Sequence, residues 1–287
     1  MGITMMMLAV VYVFFLGLLM FAGIPPELVL VIAVAMAFFQ YFMSDKLVLA
    51  TTGARVVTAE EEPRLHGIIE RLVAIADMPK PKKIAVMDTH VPNAFATGRN
   101  PKNAVIAVTR GLLNRLNERE LEAVLGHELA HVKNRDVMVL TWASVIVIAA
   151  GFLLQMLFCG GHGGGGRRDM GQLMIIMLAV YVGTIIVYFV SQMLIMTLSR
   201  YREFAADRGG AVITGSPLQL ASALQKISND MYRIPEKDLR KVEHASAFFI
   251  IPALKGNAIA TMFSSHPKVE ERIERLQEMQ RSMERSS

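Results

Sequence analysis

Cysteine is almost missing. Cys159 stands alone, so no disulfide can close within the chain, and a reducing compartment suits its folded part. Aromatic residues make up 7% and charged residues 19% of a chain that is 53% hydrophobic. That balance is too apolar for an ordinary soluble domain and too charged for a wholly intramembrane one. The charge also avoids four long runs. Residues 3–22, 28–43, 137–158 and 173–198 contain no Asp, Glu, Lys or Arg. A transporter is expected to hold an ionisable group within its spans, so this absence speaks against transport. Gln40, Gln155 and Gln192 are the nearest substitutes. No basic residue precedes the first run and no small-x-small site follows it, so an anchor is expected there rather than a cleaved signal peptide.

A spanning helix needs roughly 20 apolar residues. The first, third and fourth runs meet that length. The second has 16 and follows a Pro25-Pro26 turn from the first. Four transmembrane helices are therefore expected. Of 30 Lys and Arg, 14 fall in residues 44–136 and 14 in residues 199–287; Arg167 and Arg168 lie in the glycine-rich stretch between the last two crossings. Four crossings put the two basic segments on one side, which the excess of positive charge assigns to the cytoplasm of a cell membrane. The net charge of +5 is thus read as topology, and nucleic acid is not an expected partner. The expected organisation is a membrane hairpin over residues 1–43, a cytosolic half-domain over 44–136, a second hairpin over 137–198 and a second half-domain over 199–287.

The polar halves carry mixed signals. "PRLHGIIERLVAIADM" has apolar residues at helical spacing behind a proline start. "KIAVMD", "NAFATG" and "NAVIAVT" read as short strands of a small sheet, separated by Pro, Asn and Gly. Asn117 and Glu120 form a capping-box pattern opening "ERELEAVLGHELAHVKNRD". No breaker follows before Val137, so this helix is expected to continue into the third crossing. "SRYREFAADRGGAVITG" is expected to extend the fourth crossing as a helix ending near Gly209-Gly210. Ser216 and Pro217 start another helix, and "HPKVEERIERLQEMQRSMERS" a last one, with Val269, Ile273, Leu276 and Met279 on one stripe, for packing or as a solvated surface.

The chemistry concentrates in "HELAH", residues 127–131. On a helix, positions i and i+4 stand one above the other, so His127 and His131 can hold one ion. Glu128 can then bond a water on that ion without binding the metal itself. This is the zinc-hydrolase pattern. The competing reading is a surface helix whose histidines face solvent. A catalytic zinc keeps three protein ligands and one open position. One class of such enzymes places a glycine three residues and a histidine six residues after the second histidine. Asn134 and Val137 stand there, which excludes that class. Glu203 is the expected third ligand on two grounds. At about 1.5 Å per residue, Glu203 and the histidines reach roughly 7–9 Å beyond their respective crossings. Glu203 and Asp207 are also like charges at i, i+4, which a bound cation would relieve. Asp207 is expected to accept a hydrogen bond from a ligand histidine and fix its tautomer. The competing reading pairs Glu203 with Arg200 or Arg202.

"HELAH" followed by "REFAADRGGA", with two membrane hairpins, "NAFATG" before the motif and "SSHPKVEERI" near the end, resembles the HtpX group of membrane-bound zinc proteases, peptidase family M48. The resemblance covers nearly the whole chain. It implies an α-helical membrane protein with a zincin-like α+β protease domain and one Zn2+ per chain. It implies His127, His131 and Glu203 as ligands and Glu128 as base. It also implies membrane-protein substrates and stress-linked quality control in the lipid bilayer. The prenyl-protein endopeptidases that resemble this group carry more crossings than four, which speaks against a prenylated substrate.

Two weaker sites remain. Asn93, Ala94 and Phe95 lie in a candidate edge strand that could take a substrate as an added strand, or could be ordinary sheet. His266 could donate to the oxyanion formed at the attacked carbonyl, or could simply start the last helix. His66, His90 and His244 show no metal spacing, and His162 reads as a solvated loop residue. Two other functions compete. A site-2-type intramembrane metalloprotease would bury its motif in a span, whereas charged "LNERELEAV" and "KNRD" flank this one. A non-catalytic membrane scaffold would hold no stoichiometric metal.

Overall fold

A computed structural model describes residues 2–160, 170–233 and 267–286. The expectations for His162, Arg167, Arg168, His244 and His266 lie outside these residues. In chain order the elements are α1 (Gly2–Phe21), α2 (Pro26–Thr52), β1 (Arg55–Val56), α3 (Pro63–Ile75), β2 (Lys83–Met87), β3 (Ala94–Thr97), β4 (Val105–Thr109), α4 (Arg110–Arg115), α5 (Glu118–Lys133), α6 (Asp136–Gly160), α7 (Met170–Thr214), α8 (Pro217–Arg233) and α9 (Val269–Ser286). Four segments are long and apolar enough to cross a membrane: Gly2–Phe21, Pro26–Met43, Asp136–Met156 and Ile175–Thr214.

The chain divides into two compact units. One comprises Met1–Tyr41 and Val139–Leu198, the other Phe42–Met138 and Ser199–Ser287. In the first unit, Phe15, Leu19, Ala33, Ala149, Ala150, Val180 and Val187 fill the interior. Small residues let these helices approach, as where Gly183 meets the Leu18 side chain. Ile3, Val10, Phe14, Phe38, Ile175 and Phe189 point outward, an apolar exterior suited to lipid.

The second unit is built on a four-stranded mixed sheet of order β1-β2-β4-β3. β2 and β4 run parallel, and the two outer strands pair antiparallel to them. β1 has two exposed residues, too short for an alternating pattern to be read from the sequence. The sheet and helices α3, α5, α8 and α9 share one core containing Ile69, Leu72, Ile106, Leu125, Leu129, Leu224 and Leu276. The capping box at α5 forms as the sequence suggests: Asn117 Oδ1 accepts from Glu120 N at 2.9 Å, and Glu120 Oε2 accepts from Asn117 N at 3.0 Å. Glu120 also binds Ser222 Oγ and Lys226 Nζ on α8, fixing the two helices to each other.

Two helix boundaries depart from expectation. The motif helix does not run on into α6. It stops at Lys133, and Arg135 adopts a left-handed φ of 54° before α6 begins at Asp136. Nor does α7 end at Gly209-Gly210. It continues to Thr214, and Gly215 at φ 64° follows it. The glycines cost helix propensity but remove side chains where α7 crosses α5. A Cβ on Gly210 would lie 2.7 Å from His127 N, and one on Gly209 would lie 2.9 Å from Ala130 Cβ. Tertiary packing outweighs the local preference.

Candidate metal centre

The close crossing of α5 and α7 sets the geometry. His127 and His131 are one turn apart on α5, and Glu203, Asp207 and Gly210 share a face of α7 at i, i+4 and i+7. With the Gly210 backbone against His127, Glu203 and Asp207 face the imidazoles. His127, His131 and Glu203 can each offer a ligand atom, all within 4.8 Å of one another. His127 Nε2 and His131 Nε2 are 3.1 Å apart. Glu203 Oε1 lies 3.4 Å from His131 Nε2, and its Oε2 lies 3.7 Å from His127 Nε2. Pairing of Glu203 with Arg202 is not what forms, since Arg202 turns to Asp136.

Carboxylates behind the imidazoles fix which nitrogen faces inward. Asp207 Oδ1 lies 3.0 Å from His127 Nδ1. Asp136 Oδ2 lies 2.6 Å from His131 Nδ1, a contact the sequence reading missed. Asp136 at Nδ1 of His131 favours the neutral tautomer whose lone pair lies on Nε2, and Asp207 stands at Nδ1 of His127. The two Nε2 atoms stand within hydrogen-bond distance of each other at 3.1 Å, and both face Glu203. A tetrahedral ion with bonds of about 2.05 Å has ligand–ligand edges of about 3.4 Å, the scale of the three separations observed. Charge points the same way. Glu128, Asp136, Glu203 and Asp207 are buried, and the guanidiniums of Arg202 and Arg272 stand against them at the cluster. The residues therefore fit a divalent cation.

Arg272 is the larger omission of the sequence reading, which gave α9 a role in packing or as a solvated surface. The stripe does pack, but Arg272 on it is 0% exposed. Its Nε and Nη2 donate to Asp207 Oδ2 and Oδ1 at 2.8 and 2.7 Å. Its Nη1 lies 3.2 Å from Glu203 Oε2, and its Nη2 is 3.4 Å from His127 Nε2. A legible signal existed: Arg272 falls between Val269 and Ile273 on the apolar face, where a solvated arginine would not be placed.

The titratable groups feel this environment. Burial pushes the Glu128 carboxyl up to about 7; the charge on His131 opposes that, and Glu203 adds to it. Burial lowers His127 against the pull of Asp207. Burial would lower His131 too, but its hydrogen bond to Glu203 and the charges of Glu203 and Glu128 raise it on balance. For Arg272, the carboxylates of Asp207 and Glu203 outweigh burial and hold the guanidinium charged.

Glu128 does not join the His127–His131–Glu203 cluster. It accepts from the backbone N–H of Ala96 on β3. β3 is an edge strand of the sheet. Thr109 N donates to Asn93 O at 2.9 Å, so by antiparallel alternation Asn93, Phe95 and Thr97 turn their backbone groups to β4. Ala94 and Ala96 turn theirs away from β4. Of the three residues expected from sequence, Ala94 turns its backbone away from β4, as does Ala96, whose N–H is held by Glu128. His66 is tied to Val57 O at 3.1 Å, away from this cluster.

Two imidazoles, a carboxylate and an adjacent buried glutamate form the donor set of a metal-dependent protease. The sequence pattern of Peptidase family M48 matches residues 59–280, and the chain belongs to that family. It is 54% identical over 284 residues to "Protease HtpX homolog" of Moorella thermoacetica, covering 99% of this chain and 94% of that one. It is likewise 54% identical over 281 residues to "Protease HtpX homolog 2" of Methanosarcina acetivorans, covering 98% and 94%. Its fold matches the crystal structure of S. mikatae Ste24p with a TM-score of 0.59 at 15% identity, over 93% of this chain and 62% of that chain. The chain is a multi-pass membrane protein and a protease of a metalloprotease family.

Proposed function

We propose that the chain is a zinc endopeptidase of the cell membrane that cleaves misfolded or damaged membrane proteins at a site facing the cytoplasm. The convergence of His127, His131 and Glu203 beside Glu128 carries this reading. His127 Nε2, His131 Nε2 and a Glu203 oxygen would hold Zn2+. Imidazole and carboxylate donors without thiolate suit that ion. When bound, zinc supplies an acidified water and polarises the peptide carbonyl. Glu128 takes a proton from the attacking water on its carboxylate and hands it to the leaving amine. Asp207 and Asp136 keep the imidazole protons on Nδ1. Arg272 holds Asp207 and Glu203 in place and offsets their charge. The outward backbone of β3 is suited to align an extended substrate segment as an added strand. The cytoplasmic assignment follows from the basic residues of segments 44–136 and 199–287, read as the two halves of the protease domain between two membrane hairpins. The membrane-protein substrate class and the link to quality control come from the resemblance to the HtpX group.

The test is metal analysis beside proteolysis on the full chain in detergent. Glu128→Ala should retain about one zinc per chain and lose cleavage by several orders of magnitude. Glu203→Ala should lose both. Cleavage persisting in Glu128→Ala, or wild-type protein without stoichiometric metal, would overturn the reading.

A further inference from the structure

We propose that Asp136 and Arg202 form a positioning pair that locks the His131 imidazole for metal binding and ties it to the helix bearing Glu203. The inference rests on the metal-centre reading above. Asp136 uses both oxygens. Oδ2 accepts from His131 Nδ1 at 2.6 Å, and Oδ1 pairs with Arg202 Nη2. The same Nη2 donates to Asn134 O at 2.7 Å, and Asn134 caps the C-terminus of α5. One guanidinium therefore grips the orienting carboxylate and the end of the histidine helix together. Arg202 immediately precedes Glu203, so α7 delivers the third candidate ligand and the clamp on the second from adjacent positions.

The backbone is shaped for this contact. Asp136 is five residues after His131. In an uninterrupted helix of 3.6 residues per turn it would point about 140° away around the axis. The left-handed conformation of Arg135 turns the chain and brings Asp136 back over His131. A non-glycine residue adopts that conformation at a cost, so the break is held by what it achieves. A plain helix-to-helix ion pair would need Asp136 and Arg202 only. The short contact from Oδ2 to Nδ1 is what directs the pair at the candidate ligand. There it fixes the tautomer, aims Nε2 and raises its basicity. On His127 the corresponding task falls to Asp207 and Arg272, a separate carboxylate–guanidinium pair. Each imidazole thus has its own carboxylate partner, backed by its own guanidinium.

The experiment measures Zn2+ affinity by competition with a chromophoric chelator, on the metal-stripped full chain in detergent micelles. The absorption of bound Co2+ reports the geometry of the ligands. Asp136→Asn should weaken Zn2+ binding by about 10- to 100-fold and alter the Co2+ spectrum. Arg202→Gln should weaken it in the same direction. The double variant should bind within about two-fold of Asp136→Asn, because one unit has been removed twice. Adding Asp207→Asn should weaken binding further, because it removes the carboxylate at the other imidazole. Asp136→Asn with wild-type affinity overturns the proposal, and a lowered melting temperature alongside that affinity marks a structural tie only. Losses that multiply between Asp136→Asn and Arg202→Gln also overturn it. If Asp136→Asn does not fold, Arg202→Gln decides: unchanged affinity and Co2+ spectrum overturn the proposal, and loss of both supports it. Wild-type protein that binds neither ion removes the metal-centre reading itself, a result distinct from all of these.

Discussion

A carboxyl group held near 7 by burial is only half ionised at neutrality, and Glu128 is such a group. Its folded value lies above the ordinary 4.5, so between those two pH values the folded chain binds more protons than the unfolded one. The stability contributed by the neutral form is complete below 4.5 and is lost as pH rises through about 7. Metal-free Glu128→Gln should therefore be more stable than metal-free wild type above pH 7, by on the order of 3 kcal/mol, and should converge with it below pH 4.5. Thermal melts across that range check this; parallel curves would show that Glu128 is not neutral when buried. At this scale much was legible. His127, Glu128 and His131 follow from helical spacing, and Asp207 follows from its interval to Glu203. Asp136 was not legible, because its contact depends on a left-handed residue that no glycine announces. Arg272 was visible as a charge on an apolar stripe but was not read that way.

Among the elements, the decisive contact is the crossing of α5 and α7. Gly210→Ala would drive a methyl group against the His127 backbone, which cannot move aside as a side chain can. It should destabilise the fold by about 1–3 kcal/mol and lower metal occupancy, because Glu203 and Asp207 ride on the displaced helix. Gly209→Ala meets only the methyl of Ala130 and should cost less. Denaturation and metal analysis of the pair check the order; equal effects would place the crossing's tightest point elsewhere. Periodicity made α3, α8 and α9 readable, and short β-type runs separated by Pro, Asn and Gly made β2, β3 and β4 readable. The passage of α7 through Gly209-Gly210 was not, since glycine locally favours a helix end and only the neighbouring helix reverses that preference.

For the whole molecule, the metal reading makes a statement about stability. An ion that binds the folded chain alone stabilises it by about 2.7 kcal/mol at one hundred times its dissociation constant. Chelation should lower the melting temperature of wild-type protein and leave that of Glu203→Ala unchanged. A shift in both would indicate a chelator effect unrelated to the site. The inferred topology is checked by reporter fusions after residue 287, which should be active only with a reporter that folds in the cytoplasm. Parts of the centre also come from elements made at different times. A ribosome delivers α5, α6 and α7 well before α9. Until Arg272 emerges and docks, Glu203 and Asp207 lack the guanidinium that neutralises and aligns them. The charge balance of the centre is therefore completed last, by the helix the ribosome makes last.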